Sequence, residues 1–85
     1  MPFSIKFVEV VVKEQIPAIP MPYRQQIKRA IEECLSVDPL KFGKPLKYSF
    51  YGLRRLRVGD WRIIYRINEN TVEIIKIGNR KEVYE

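Results

Sequence analysis

Residues 53–78 contain three short stretches rich in strand-forming residues, separated by two-residue turns, and this pattern constrains the fold more than any other feature of the sequence. The three stretches are residues 53–58, 61–68 and 71–78. Gly59-Asp60 and Glu69-Asn70 separate the stretches, and two-residue loops of this kind join antiparallel strands as β-hairpins. The sequence therefore predicts a three-stranded antiparallel meander.

The first half of the chain predicts a strand followed by helical structure. Residues 3–8 alternate apolar and polar side chains, which indicates a half-buried strand. Residues 10–15 fit either a strand or a short helix, and three prolines within residues 16–22 argue against regular structure there. Residues 23–35 predict the clearest helix, and residues 36–52 form a connection rich in Pro, Gly and Lys. The apolar stripe of the helix consists of Tyr23, Ile27, Ala30, Ile31, Cys34 and Leu35.

The order of these elements predicts an α+β fold in which N-terminal helices pack on one face of an antiparallel sheet. A chain of 85 residues is expected to form one domain, residues 1–85. Cys34 lies on the apolar stripe of the helix, so we expect an inert, buried thiol. The sequence lacks a membrane-length apolar run and a signal-peptide pattern, which favours a cytoplasmic protein that does not bind membranes.

Basic residues are concentrated in the second half of the chain. The net charge is +6, and residues 1–40 contribute none of it because they hold five basic and five acidic residues. Between Lys41 and Arg66 there are eight basic residues against the single acid Asp60. Five of the eight are arginines that fall in predicted strands. This distribution favours a polyanionic partner, with nucleic acid first, over a merely solubilising surface.

The first predicted hairpin determines which arginines share a face of the sheet. With two loop residues, Arg57 lies opposite Arg62, and Arg55 lies opposite Ile64. The helix-facing side then carries Leu56, Val58, Trp61, Ile63 and Tyr65. The open side carries Arg55, Arg57, Arg62 and Arg66. Like charges directly opposite one another are destabilising, so this face is a candidate functional site.

The second hairpin predicts an ion pair and an apolar group beside the arginines. With its loop at residues 69–70, Arg66 lies opposite Glu73, which predicts a structural role for Arg66. The open face would then also hold Ile64, Ile75 and Ile77. Exposed apolar side chains beside a basic strip predict a surface that a partner covers.

The composition limits the chemistry of this face. The chain has no histidine, which excludes Ser-His-Asp and Cys-His catalysis, and one cysteine, which excludes a zinc site with several thiolates. It lacks an acidic cluster for two-metal catalysis, so we expect neither a metal nor a cofactor. The side chains expected around a phosphate are Arg55, Arg57, Arg62, Arg80 and Lys47. Such cations could stabilise a phosphorane formed by a substrate 2′-hydroxyl, or could bind nucleic acid without cutting it.

Three motifs in the second half resemble the RelE/ParE toxin superfamily. They are Leu-Arg-Arg-Leu-Arg-Val-Gly-Asp-Trp-Arg-Ile-Ile-Tyr at residues 53–65, Ile-Ile-Lys-Ile-Gly-Asn-Arg at residues 74–80, and Glu-Val-Tyr at residues 82–84. Arg80 and the terminal Glu-Val-Tyr favour the RelE branch. The resemblance implies a microbial-ribonuclease-like fold. It also implies the toxin of a toxin–antitoxin pair, which enters the ribosomal A site and cleaves messenger RNA through its 2′-hydroxyl.

The resemblance also implies roles for individual residues. Arg62 would contact the scissile phosphate, Arg80 would act near the leaving oxygen, and Tyr84 would orient or stack on the substrate base. Arg55 stands where the family often has a lysine directed toward the nucleophile, and arginine is a poor proton acceptor because its guanidinium stays protonated in proteins. Lys47 or Arg57 could compensate for it. The residues expected to bind RNA are Lys44, Lys47, Arg57 and Lys81.

The expected partners are messenger RNA, the ribosome and a small acidic antitoxin. An amphipathic antitoxin helix would cover Ile64, Ile75 and Ile77 in a hetero-oligomer. Two other functions remain open. One is a ParE-like inhibitor of DNA gyrase, and the other is a degenerate toxin that binds RNA without cutting it.

Overall fold

Five strands form a mixed sheet, and the helical segments pack on one of its faces. The structure is a computed structural model that describes residues 2–47 and 52–81. The elements in chain order are β1 (Ser4–Phe7), a π-helical turn (Val11–Gln15), α1 (Ile16–Ala18), α2 (Met21–Ala30), a second π-helical turn (Ile31–Leu35), α3 (Pro39–Phe42), β2 (Lys44–Pro45), β3 (Arg54–Val58), β4 (Trp61–Asn68) and β5 (Thr71–Asn79). The strand order across the sheet is β1-β5-β4-β3-β2.

The predicted α+β fold and the meander of β3, β4 and β5 are confirmed. The sheet is mixed rather than wholly antiparallel, because β1 runs parallel to β5. This pairing places Ser4 opposite Thr71 and Phe7 opposite Ile74. Turn residues predict a hairpin between consecutive strands, whereas a pairing between the first and last strands leaves no such local signal.

The structure of the helical half settles what residues 10–15 form and shows that the prediction for residues 16–22 is wrong. Residues 11–15 are helical, which settles the ambiguous segment. The expectation that residues 16–22 lack regular structure is wrong, since α1 spans most of a turn and α2 begins at Met21. Pro17 and Pro22 occupy the first turn of each helix, where a backbone N–H has no partner within the helix. The predicted helix over residues 23–35 is confirmed as α2 and the π-helical turn that continues it.

The core lies between the helical segments and the inner face of the sheet. The helical half of the chain contributes Val11, Ile19, Ile27, Ile31 and Leu35. Its sheet members are Leu56, Val58, Ile63, Tyr65, Val72, Ile74 and Ile77. Cys34 is partly buried against this cluster, and burial followed by the Glu33 carboxylate raises the pKa of its thiol. The raised pKa keeps the thiol protonated, as expected for an inert cysteine.

A set of hydrogen bonds ties α3 and β2 to the sheet. The Tyr65 hydroxyl donates a hydrogen bond of 2.6 Å to the Pro39 carbonyl. Arg54 Nη2 donates to the carbonyls of Leu40 and Gly43, each at 2.9 Å. Gly43 lies so close to the phenol that a Cβ there would sit 1.6 Å from the Tyr65 hydroxyl oxygen. The segment that leads from α3 into β2 is therefore held in one place against β3 and β4.

Candidate nucleic-acid interface

The first hairpin has the predicted register, and it sets cations opposite one another on the open face. Arg57 lies opposite Arg62, and Arg55 lies opposite Ile64. β2 lies on the other side of β3 and places Lys44 opposite Arg55. Two pairs of like charges, Lys44 with Arg55 and Arg57 with Arg62, thus adjoin each other on the face away from the helices. Each such pair is unfavourable by itself, and a bound polyanion would offset the repulsion.

A β-bulge changes the register of the second hairpin. β4 and β5 pair as predicted from the loop as far as Tyr65 opposite Ile74, and then Ile75 has no counterpart in β4. Beyond the bulge, Ile64 lies opposite Lys76, and Ile63 lies opposite Ile77. A β-bulge of this kind moves every later side chain of the bulged strand to the other face.

Because of the bulge, the apolar group predicted on the open face, Ile64, Ile75 and Ile77, is not found there as a whole. Ile77 is only 3% exposed and belongs to the core, so its predicted place on the open face is wrong. Ile64 does lie on the open face but is 5% exposed, and Ile75 is half-buried at the bulge. Lys76 takes the place predicted for Ile75 opposite Ile64 and adds a cation to the open face. The open face is therefore more cationic and less apolar than the sequence suggests. Its basic residues, which make it the cationic face of the sheet, are Lys44, Arg55, Arg57, Arg62 and Lys76.

The Arg62 side chain and the backbone of Arg80 both contact the turn between β3 and β4. Arg62 is 8% exposed, and its Nη1 donates hydrogen bonds to the carbonyls of Gly59 at 3.3 Å and Trp61 at 3.1 Å. These bonds turn the guanidinium toward the loop of the hairpin. The backbone N–H of Arg80 donates to the Asp60 carbonyl at 2.8 Å, which brings Arg80 to the same loop. Two arginines that are distant in sequence therefore converge at one end of the sheet.

The remaining predicted residues are spread along the cationic face. Lys44, Arg57 and Lys81 are exposed, and Arg55 is half-buried. Lys47 follows β2, and continuing the register of β2 and β3 places it about 17 Å along the sheet from Arg57, at about 3.3 Å per residue. The structure therefore does not bring Lys47 to the end of the sheet where Arg62 and Arg80 converge. Tyr84 lies outside the described residues.

Arg66 has the structural partner that the hairpin predicts. Its Nε lies 2.9 Å from the Glu73 Oε1 in a hydrogen-bonded ion pair. Lys6 of β1 lies opposite Glu73 on the other side, so the carboxylate stands between two cations. The prediction of an Arg66–Glu73 pair is confirmed, and this pair separates Arg66 from the cluster of Arg55, Arg57 and Arg62.

Three residues that support this face are not among the predicted site residues. Lys76 reaches the face through the bulge, which has no recognisable signal in the sequence. Gln15 accepts a hydrogen bond of 2.7 Å at its Oε1 from the backbone N–H of Ile77, two residues after the unpaired Ile75. Arg54 points to the helix side, where its guanidinium holds α3. For Arg54 alone, strand alternation supplies a signal, because it places a charged side chain on the buried face.

A separate apolar groove of about 400 Å³ lies on the helix side of the sheet, between β1 and α2. Its apolar lining consists of Ile5, Phe7, Ile16, Ile19, Ile27, Ile31 and Ile77. Arg24, Gln25, Lys28 and Glu32 of the helical segments also line it. Phe7 is 36% exposed there, although it faces the core side of the sheet. An apolar groove with charged side chains at its margin suits an amphipathic segment of another chain.

The fold is that of a toxin family. Residues 11–84 match the family model described as the ParE toxin of the type II toxin–antitoxin system parDE, and the chain belongs to this family. The predicted resemblance to the RelE/ParE superfamily is confirmed, and the protein is the toxin of a type II toxin–antitoxin system. Among the described residues, we find no helix long and apolar enough to span a membrane.

Similar proteins carry RelE-type names. Toxin RelG of Mycobacterium tuberculosis is 29% identical over 86 residues, which cover 99% of this chain and 98% of that protein. Toxin RelE3 of Methanocaldococcus jannaschii is 30% identical over 85 residues, 96% of either chain. The structure of the toxin–antitoxin complex RelBE2 from Mycobacterium tuberculosis matches with a TM-score of 0.84 at 27% identity, covering 94% of this chain and 93% of that chain. The RelB–RelE complex from Methanococcus jannaschii matches with a TM-score of 0.73 at 31% identity, covering 94% and 95%. The fold is RelE-like.

Proposed function

We propose that this toxin is an endoribonuclease that cleaves messenger RNA in the ribosomal A site without a metal ion. The observation that carries the proposal is that two cross-strand pairs of basic residues adjoin each other on the open face. The pairs are Lys44 with Arg55 and Arg57 with Arg62, and the backbone of Arg80 reaches the turn next to the second pair. Arginine binds phosphate through two parallel hydrogen bonds and keeps its charge at any physiological pH. The RelE-type names of the relatives agree with this activity.

The proposed chemistry places each arginine at a different part of the phosphate. The substrate 2′-hydroxyl gives up its proton to water and attacks the adjacent phosphorus, the bond from phosphorus to the 5′-oxygen breaks to leave a 2′,3′-cyclic phosphate, and the departing 5′-oxygen takes up a proton from water. Arg62 and Arg57 stabilise the charge that develops on the non-bridging oxygens, since fixed donors are most effective where charge grows in the transition state. Arg80 acts at the leaving oxygen, and Arg55 acts near the attacking one. Tyr84 stacks on the substrate base.

The test compares arginines of β4 that share one face. Arg62→Ala should lower the rate of messenger RNA cleavage about a hundredfold, the loss that follows removal of one transition-state donor. Arg66→Ala is the matched control and should leave cleavage unchanged, because Arg66 is paired with Glu73. Primer extension on messenger RNA from a translating extract measures both.

Because Arg62 is largely buried, its variant could lose stability as well as activity. Arg80→Ala removes an exposed side chain and separates the two effects. Melting temperatures identify variants that remain folded. Folded Arg62 and Arg80 variants that cleave like the wild type would refute the proposed site.

Inhibition of DNA gyrase is the second candidate function, because the matching family model describes ParE toxins. A supercoiling assay with purified gyrase separates the two functions. Inhibition at stoichiometric toxin, without cleavage in the translating extract, would favour the ParE-like activity.

The toxin is proposed to form a hetero-oligomer with an acidic antitoxin, since the similar RelBE2 and RelB–RelE structures are complexes with antitoxins. Its acidic part would cover the cationic face, and its apolar part would fill the groove between β1 and α2. The groove replaces the apolar strip expected on the open face, because Ile77 belongs to the core.

Two charge-introducing variants test where the antitoxin docks. Phe7→Glu places a carboxylate in the groove, and Ile75→Glu places one at the bulge. Titration calorimetry with the antitoxin should show the larger loss of affinity for Phe7→Glu, at low and high salt alike, since apolar burial is insensitive to screening. A larger loss for Ile75→Glu, in a folded variant, would return the docking surface to the open face.

A further inference from the structure

A small pocket at the edge of the cationic face combines an aromatic side chain with cations. It has a volume of about 160 Å³ and lies where α3 leads into β2 and β3. Its lining residues are Phe42, Lys44, Arg55, Leu56 and Arg57. The pocket is continuous with the proposed site because it shares Arg55 and Arg57 with it. None of the roles assigned above uses Phe42.

Phe42 is exposed although it is a large apolar side chain. It is 43% exposed at the end of α3, and the Lys41 Nζ lies over its ring, 5.6 Å from the centroid. The neighbouring Gly43 is locked against the Tyr65 hydroxyl, so the backbone that carries the ring cannot shift freely. The chain thus holds an aromatic ring in a fixed place beside Lys44 and Arg55, within reach of solvent.

An aromatic ring among cations suits one class of ligand best. Single-stranded nucleic acid is bound by cations that follow the phosphates and by aromatic rings on which bases stack. Cations alone would suit any anion, and the carboxylates of an acidic peptide would gain nothing from the ring. The like-charge pair of Lys44 and Arg55 also favours a phosphate-bearing strand, which can lie across both side chains.

We propose that this pocket binds one nucleotide of single-stranded RNA, with its base stacked on the face of Phe42 that Lys41 leaves open. Lys44 and Arg57 hold the flanking phosphates. This inference rests on the proposed function for its substrate class, and it adds a subsite next to the scissile phosphate. Because stacking does not read hydrogen-bonding groups, the subsite contributes affinity with little base preference.

The test uses a short, fluorescently labelled 2′-O-methyl oligoribonucleotide, which cannot be cleaved because its 2′-oxygen is blocked. Fluorescence anisotropy should show roughly five- to a hundredfold weaker binding for Phe42→Ala, the range expected for loss of one stacked base. Phe42→Trp should restore binding, because indole stacks at least as well as phenyl. Leu40→Ala is the matched control from the same helix, where Leu40 is 63% exposed, and should bind like the wild type.

Two further readouts exclude a merely structural effect. Phe42→Ala removes no charge, so the salt dependence of binding should keep the slope of the wild type, whereas Arg57→Ala should reduce it by about 0.7, the contribution of one phosphate contact to a single strand. With an unlabelled oligoribonucleotide, the emission of Phe42→Trp should be quenched beyond the wild-type change, which reports Trp61 alone. Wild-type affinity in Phe42→Ala, failure of Phe42→Trp to rescue, or an unquenched indole would each overturn the proposal. Competition by polyglutamate that depends on Phe42 would assign the pocket to an acidic peptide instead.

The outcomes separate this subsite from the proposed activity. Binding of the uncleavable strand through Phe42, without cleavage of messenger RNA on ribosomes, would refute the endoribonuclease and keep the subsite. Cleavage that is independent of Phe42 would refute the subsite and keep the endoribonuclease.

Discussion

Gly43→Ala should be among the most destabilising single substitutions in this chain. The added Cβ would lie 1.6 Å from the Tyr65 hydroxyl oxygen and 2.6 Å from the ring carbon Cζ. An ordinary contact is about 3.5 Å, so the phenol has to move by about 2 Å. That movement breaks the 2.6 Å hydrogen bond from the hydroxyl to the Pro39 carbonyl. The substitution therefore combines overpacking with the loss of a buried hydrogen bond.

Each of these two effects costs about 1–3 kcal/mol, so the expected loss is roughly 2–6 kcal/mol. A chain of 85 residues has a free energy of unfolding of about 4–13 kcal/mol, and the loss is a large part of it. Urea denaturation followed by circular dichroism measures the change. Gly59→Ala is the control. Gly59 has a φ of 62°, but no heavy atom lies within 4 Å of the Cβ that alanine would add. This variant should therefore lose only the cost of the left-handed backbone, about 1–2 kcal/mol.

A double-mutant cycle tests the stated cause. Tyr65→Phe removes the hydroxyl that meets the new Cβ, so Gly43→Ala should cost less in the Tyr65→Phe variant than in the wild type, by about 1 kcal/mol or more. The ring itself still obstructs the Cβ, and the rescue should therefore be incomplete. Full additivity, or a Gly43→Ala variant no less stable than Gly59→Ala, would refute the reasoning.

Three further predictions follow from individual contacts. Arg66→Ala should lower the free energy of unfolding by only about 0.2–1 kcal/mol, because its ion pair is partly exposed, and a larger loss in urea denaturation would mean a deeper role. Burial raises the pKa of Tyr65 despite the opposing hydrogen bond and charge of Arg54, so stability from the neutral phenol is full below about pH 10 and is lost as the pH rises through the folded pKa. Tyr65→Phe should be less stable than the wild type at pH 7 by about 1–3 kcal/mol, and the gap should narrow above about pH 10; a gap that widens would contradict this. Gln15→Leu removes the acceptor at the bulge and should cost about 1–3 kcal/mol while exposing the amide of residue 77 to hydrogen exchange; unchanged protection would show that the bulge holds without Gln15.

Local patterns predicted the sheet hairpins and part of the site. Two-residue loops, together with the alternation of side chains between the two faces of a strand, determine register over a few residues, which is why Arg57 opposite Arg62 and Arg66 opposite Glu73 were predictable. Alternation likewise assigned Tyr65 to the core. The apolar stripe of α2 and its continuation was equally local, since residues spaced by one helical turn share a face.

The bulge in β5 depended on the tertiary structure. The Ile77 amide, two residues beyond the unpaired Ile75, donates to Gln15, which is 62 residues away in the sequence, and no local pattern encodes a contact of that range. This contact lies beside the register shift that places Ile77 in the core and Lys76 on the cationic face. Residues of a strand pair with the neighbouring strand one after another, so one unpaired residue moves every side chain after it to the other face of the sheet.

The sequence by itself thus determined the α+β class, the hairpins, the arginine pairs and the toxin family, because turn chemistry, alternation and motifs act over short ranges. Only the tertiary structure decided the parallel pairing of β1, the groove beside α2 and the pocket at Phe42. These features arise where segments distant in the chain pack together. Their geometry depends on how much space the packed side chains leave, and residue order alone does not contain that quantity.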